Sequence, residues 1–150
     1  NKIMSSLEKL KVDKKSSLLS SQDCRFLNSK TSYYVDDQAL AILVYASLGK
    51  KQKASELLES VLSGPFYDKK TGLFNSSFTK SGIDRSKSTY KNSLVAIALK
   101  KMNYSKELKK LQKSLITELY DTQKHLFNQT NKDKIKIPDN SALALVALEY

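Results

Sequence analysis

Apolar residues fall into two alternating kinds of stretch along this chain. From about Asp37 to Leu48, Asn92 to Met102 and Asn140 to Tyr150 the residues are apolar on nearly every side of a helical projection. A helix of that kind is buried all round. Ala39, Ala41, Ala96, Ala98, Ala142 and Ala144 recur in these stretches, and such small side chains let neighbouring helices approach closely. The intervening stretches are amphipathic. Ala54, Leu57, Leu58, Val61 and Leu62 make one stripe and Leu108, Leu111, Leu115 and Leu119 another, with lysine and glutamate elsewhere, the spacing of helices that bury one face. Gly49 and Asn103 suit the left-handed position that ends a helix, and Gly64-Pro65 stops the first amphipathic stretch. Ile3, Leu7 and Leu10, with Leu18-Leu19, suggest a further outer helix at the start. The predicted order is outer, inner, outer, inner, outer, inner. Inner helices fall near 36–48, 90–102 and 139–150 and outer helices near 51–63 and 105–118, each antiparallel to its partner.

The pattern is also a repeat. Phe66-Tyr67-Asp68-Lys69-Lys70-Thr71-Gly72-Leu73-Phe74-Asn75 returns as Leu119-Tyr120-Asp121-Thr122-Gln123-Lys124-His125-Leu126-Phe127-Asn128, an offset of 53 residues. A weaker third copy ends in Phe26-Leu27-Asn28. Asp68 and Asp121 suit Asx-type turns, and the aromatic residues suit packing between hairpins. From the Asn of the turn to the Asp or Asn opening the apolar helix the spacers run 9, 17 and 12 residues. Repeat folds vary in length where loops carry function. The implied fold class is all-α: residues 1–150 form a single domain of about three helical hairpins, part of an α/α-toroid with inner and outer layers.

Tyr-Asp-x-x-x-Gly-Leu-Phe-Asn followed by Asp/Asn-x-Ala-Leu-Ala-Leu resembles the repeat of six-hairpin α/α-toroid proteins, over roughly residues 22–150. These include the (α/α)6 glycosidases and the N-acylglucosamine 2-epimerase-like proteins. The resemblance implies short β-ribbons at one rim and a ligand funnel at the inner-helix N-termini. It points to Asp36, Asp37, Asn92, Asp139 and Asn140, with Tyr33, Tyr34 and Tyr90 beside them. It also implies that the long spacer from Ser76 to Lys91, with Asp84 and Arg85, overhangs that rim as a lid. Two departures matter. Three hairpins make about half a ring, and the histidines and glutamates that the epimerase-like enzymes carry on inner helices have no counterparts here.

Composition narrows the chemistry. The net charge is +11, but the lysines are dispersed among leucines at helical spacing, and the arginines are two, Arg25 and Arg85. Nucleic-acid surfaces pair arginines with aromatics, which counts against that partner. Cys24 is the only cysteine and His125 the only histidine, so no internal disulfide forms and no transition-metal site is expected. His125 stands where the other repeat has Gly72, the place of a surface turn. No cofactor motif occurs, and no apolar run reaches the ~20 residues of a membrane span. The chain opens on Asn1 rather than Met, as expected of a trimmed or processed product, so a removed leader would be invisible and location stays open.

Two readings attach to the acidic residues. Asp36-Asp37 and Asp139-Asn140 open inner helices, where carboxylates cap free N–H groups and meet the positive end of the dipole. The sharper reading makes Asp37 and Asp139 an acid–base pair on a glycosidic bond, with Tyr33, Tyr34, Asp36, Asp84, Tyr90, Asn92 and Asn140 holding the substrate. Three functions follow as alternatives: a carbohydrate-related domain, a helical scaffold that binds a protein or itself, and a basic polyanion-binding module. A truncated ring would expose apolar surface around Ile42 and Leu145, so a homo-oligomer or a missing partner segment is expected.

Overall fold

The computed structural model describes residues 2–10, 17–20, 31–133, 135 and 138–149. Its helices are α1 (Lys2–Lys9), α2 (Val35–Ser47), α3 (Lys51–Ser63), α4 (Thr89–Lys101), α5 (Ser105–Leu119) and α6 (Pro138–Glu149). Its strands are β1 (Ser32–Tyr34), β2 (Ser77–Thr79), β3 (Gly82–Asp84), β4 (Tyr120–Asp121) and β5 (Leu126–Phe127). The inner helices each begin one residue before the sequence-based bounds, and α3 matches its bounds. Among the described residues no helix is long and apolar enough to cross a membrane.

The inner layer is α2, α4 and α6, with α4 packed between the other two. Burial surrounds only α4, in which Leu94, Val95, Ala96, Ala98 and Leu99 are all buried. The outer helices α3 and α5 pack on α2 and α4 respectively. Their stripes behave as amphipathic spacing requires: Leu57, Leu58, Leu111 and Leu115 are at most 1% exposed. The links inside these hairpins are near-identical Schellman turns. Gly49 (φ 73) and Asn103 (φ 62) take the left-handed position. Lys50 N–H bonds Tyr45 C=O at 2.8 Å, and Tyr104 N–H bonds Leu99 C=O at 2.9 Å.

Each outer helix returns to the inner layer through the repeated turn. Tyr67 bridges Phe74 as Tyr120 pairs with Phe127, and in both turns the two rings lie with centroids 5.0 Å apart. Asp68 accepts from Lys70 N–H at 3.0 Å, and Asp121 from Gln123 N–H at 3.1 Å. The turns therefore pair within themselves rather than with each other. Both need a residue at positive φ, and Gly72 (φ 75) and His125 (φ 54) supply it. A Cβ at Gly72 would lie 2.7 Å from Ser114 Oγ. Gly72→Ala is accordingly expected to cost about 2 kcal/mol in chemical unfolding, whereas His125→Gly should be near neutral. Equal effects at the two sites would contradict this account.

The fourth residue of every inner helix grips the turn before it. Gln38 accepts from Leu19 N–H (2.8 Å) and donates to Leu19 C=O (2.7 Å). Asn92 accepts from Phe74 N–H (2.7 Å) and donates to Phe74 C=O (3.1 Å), and Ser141 Oγ accepts from Phe127 N–H (3.0 Å). The first turn of the repeat is thus marked by Leu18-Leu19-Ser20. The expected third copy, Phe26-Leu27-Asn28, lies outside the described residues. Leu18 and Leu19 are core residues outside any helix, so the first outer helix is shorter than the leucine pattern suggests.

Candidate functional site

The inner-helix N-termini open at one rim, partly roofed by an antiparallel sheet in the order β1-β2-β3. The register sets Tyr33 opposite Phe78 and Phe78 opposite Ile83. Tyr33 stacks on Phe78 at 4.7 Å, and Phe78 meets the buried Phe66 edge-on at 4.9 Å. The long spacer expected to act as a lid is therefore tied down. Ser76 Oγ donates to Ser86 C=O at 2.8 Å, and Ser76 C=O accepts from Val35 N–H at 3.2 Å. Only the outer strand β3, exposed along its length, stands free of a further strand.

Lys87 fastens the same spacer from beneath. Its ammonium, with the side chain 4% exposed, pairs with Asp68 at 2.9 Å and donates to Asn75 Oδ1. The hydrogen bond from Lys87, aided by Lys70 N–H, holds the Asp68 carboxyl at about 2 against the desolvation that would raise it. Asp68 thus serves both the turn and a buried ion pair, a role its sequence pattern did not suggest.

Several of the sequence-based candidates meet on the rim around Lys91, which pattern reading passed over. Its ammonium forms an ion pair with Asp36 at 2.9 Å and lies 4.6 Å from the centre of the Tyr34 ring. Asp84 is held below the usual carboxylate range, first by Ser86 N–H, then by the Ser86 hydroxyl and the fields of Lys132 and Lys91. Tyr34 and Tyr90 are 40% and 41% exposed. A basic residue three places into an inner helix, in a repeat whose neighbour carries aspartate there, was the available signal for Lys91.

The remaining candidates separate. Asp36 and Asp37 are the second and third residues of α2, whose N-cap is Tyr34. They favour the helix dipole from within the first turn and are not caps. The cap among these helices is Ser88 on α4, which accepts from Lys91 N–H at 3.4 Å. Asp37 lines a groove beside α1 with Leu7, Leu40 and Val44, on the opposite flank of the arc from α6, where Asp139 is exposed. Helix α4 stands between the two, so one arc does not unite them. Asn92 is a correction: it is fully buried, and its amide is spent on Phe74 and Ser88 backbone groups. It supports the rim and has no free group for a ligand. His125 lies on an exposed turn, 3.3 Å from the Tyr120 hydroxyl. Among the described residues, no three His, Cys, Asp or Glu side chains converge as a metal site.

A groove of about 580 Å3 on the outer wall, between α3 and α5, is lined by Tyr67, Tyr104 and Lys110 among others. Its polar groups are engaged internally. Lys110 sits 5.2 Å from the Tyr67 ring centre, and the Tyr104 hydroxyl donates to Glu59, which raises the Tyr104 pKa.

Solved structures place this geometry in a known fold. The cellobiose 2-epimerase from Bacillus thermoamylovorans superposes with a TM-score of 0.73 at 14% identity, over 95% of this chain and 44% of that one. The endoglucanase Cel10 from Klebsiella pneumoniae, a family 8 glycosyl hydrolase, gives 0.72 at 14% identity, over 87% and 44%. A family 105 glycoside hydrolase from C. acetobutylicum gives 0.72 at 12% identity, over 97% and 48%. No protein-family model matches the sequence, and no curated protein does. The chain has the α/α-toroid fold of six-hairpin glycosidases and sugar epimerases and spans less than half the length of these three structures.

Proposed function

We propose that the inner-helix rim binds a carbohydrate or a similar hydroxyl-rich ligand. The cluster of Tyr34, Asp36 and Lys91 beside the exposed Tyr90 carries this reading. It sets flat apolar faces next to a fixed acceptor and a fixed donor, the combination a sugar ring requires. The rim lies where three helix N-termini gather, which adds a field that favours oxygen-rich groups. The fold shared with glycosidases and sugar epimerases adds support at the level of architecture alone. In this reading Tyr33, Tyr34, Asp36, Asp84, Tyr90 and Asn140 hold the ligand, and Asp37 and Asp139 are the acid–base candidates. Carboxylates that cleave a glycosidic bond stand roughly 5–10 Å apart. With α4 between α2 and α6, a single arc is a binding surface before it is a catalyst.

Titration calorimetry with a panel of neutral and uronate-containing oligosaccharides tests the proposal. Tyr90→Ala and Asp36→Ala should each weaken binding about tenfold or more, with thermal unfolding shifted by less than about 1 kcal/mol. Asp37→Ala and Asp139→Ala belong in the same series. If all four variants lose stability alone, with affinity per folded molecule unchanged, these side chains are scaffold and the sugar reading is wrong.

A further inference from the structure

The order of the helices leaves two ends that complement each other. Helices α2 and α4 each pack against the outer helix that follows, α3 and α5. Among the described residues, α6 is an inner helix without such a follower, and α1 is an outer helix without a preceding inner one. Burial registers both vacancies. The leucines of α3 are sealed, whereas Leu7 and Leu10 of α1 are half-buried beside a groove of about 250 Å3 shared with Leu40 and Val44 of α2. On the far flank Leu145 and Val146 of α6 are 53% and 40% exposed. Ile42, where the truncated ring was expected to expose apolar surface, is instead 1% exposed, and Leu40, at 45%, takes that place.

We infer that two copies of this chain associate head to tail, α6 of each entering the α1–α2 groove of the other, to close a two-fold ring. Seated there, α6 gains α1 as its outer partner and α2 as its inner neighbour, the surroundings α2 already has from α3 and α4. Charge favours that pairing. Although the chain carries +11, no lysine or arginine falls in α2 or α6; α6 brings Asp139 and Glu149. Helix α1 brings Lys2 and Lys9. Antiparallel packing, as in the other hairpins, sets Asp139 toward Lys9 and Glu149 toward Lys2. Closure at two copies follows from the arc itself, which covers 44–48% of solved toroids. A heterologous contact that closes gives a ring, and one that does not gives a filament.

The junction has a chemical consequence. Within the chain, the second residue of one inner helix meets the third of the next, Asp36 against Lys91 at 2.9 Å. The same register at the junction brings Asp139 of one copy against Asp37 of the other. Two ionised carboxylates at that spacing repel unless they share a proton or a hydroxylic ligand. The ring therefore builds, twice over, the carboxylate pair that one arc keeps apart. The association itself stands apart from the sugar reading, because it rests on the flanks alone.

Sedimentation equilibrium on the chain at about 100 µM should give twice the chain mass of 16.9 kDa. Leu145→Glu should weaken the dimer by at least ~10-fold with helical content retained, since the position is exposed. Asp37→Asn should tighten it ~3-fold or more by removing one of two facing charges. In a Cys24→Ser background, mixing Leu40→Cys with Leu145→Cys chains should yield a disulfide-linked heterodimer, while each alone yields none. A monomer across the range leaves the groove to another occupant and overturns the proposal. Self-crosslinking of either variant, or an open series of oligomers, overturns the two-fold head-to-tail ring.

Discussion

Asp68→Ala is expected to destabilise the chain by about 3 kcal/mol, a loss far larger than its place on a surface turn suggests. The cause is Lys87, whose side chain is 4% exposed and whose ionic partner is Asp68 at 2.9 Å. Breaking a buried pair by removing one partner leaves the other charge without compensation, and that orphan is more costly than the lost attraction. Asn75 Oδ1 stays in place as an acceptor but brings no charge. Lys87→Met should cost less, because Asp68 is 30% exposed and turns to water. The double variant should recover part of the loss, because no ammonium remains buried. Urea denaturation of the three variants measures the cycle. A double variant no more stable than Asp68→Ala would remove the buried charge as the cause.

The same pair makes stability depend on acid. The Asp68 carboxyl sits at about 2 in the folded chain against an ordinary 3.8. A carboxyl lowered by folding stabilises fully above its unfolded value and loses that contribution as pH falls through its folded one. The window is therefore pH 4 to 2, and the contribution is about 2 kcal/mol. Melting curves across that window should show the chain converging on the Asp68→Ala/Lys87→Met variant. Parallel curves would exclude the linkage.

Helices were legible because burial writes itself into spacing. The stripes of α3 and α5 and the alanine-rich α4 each had one environment, and their residues report it. The ends of the arc were less legible. The apolar run of α2 predicts burial on all sides, yet Leu40 is 45% exposed, since the run reflects a ring that one copy only half builds. Lys91 and Lys87 were lost among 26 basic residues. What distinguishes them is the company of Asp36 and Asp68, contacts made across 55 and 19 positions. Spacing along one helix cannot show these. Asn92 misled for a related reason. Its alignment with Asn140 rests on sequence, whereas the helix starts at Thr89 and Pro138 set it level with Ser141.

That corrected register yields the last expectation, a graded loss when the fourth residue of each inner helix is cut to alanine. Asn92 and Gln38 are fully buried, and each amide makes three hydrogen bonds to backbone groups. Removing either strands a buried N–H and C=O of the preceding turn, and each such group carries a penalty of about 1–3 kcal/mol. Asn92→Ala and Gln38→Ala should therefore each cost about 3 kcal/mol. Ser141 accepts one bond, from Phe127 N–H, so Ser141→Ala should cost about 1 kcal/mol. Asn92→Asp separates hydrogen bonding from shape. It keeps the acceptor for Phe74 N–H but turns an ionised oxygen toward the Phe74 and Ser88 carbonyls, so it should be at least as damaging as alanine. Chemical unfolding of the four variants gives the ranking. A Ser141 variant as costly as the amide variants would show that packing, rather than the grip on the turn, sets the stability of this rim.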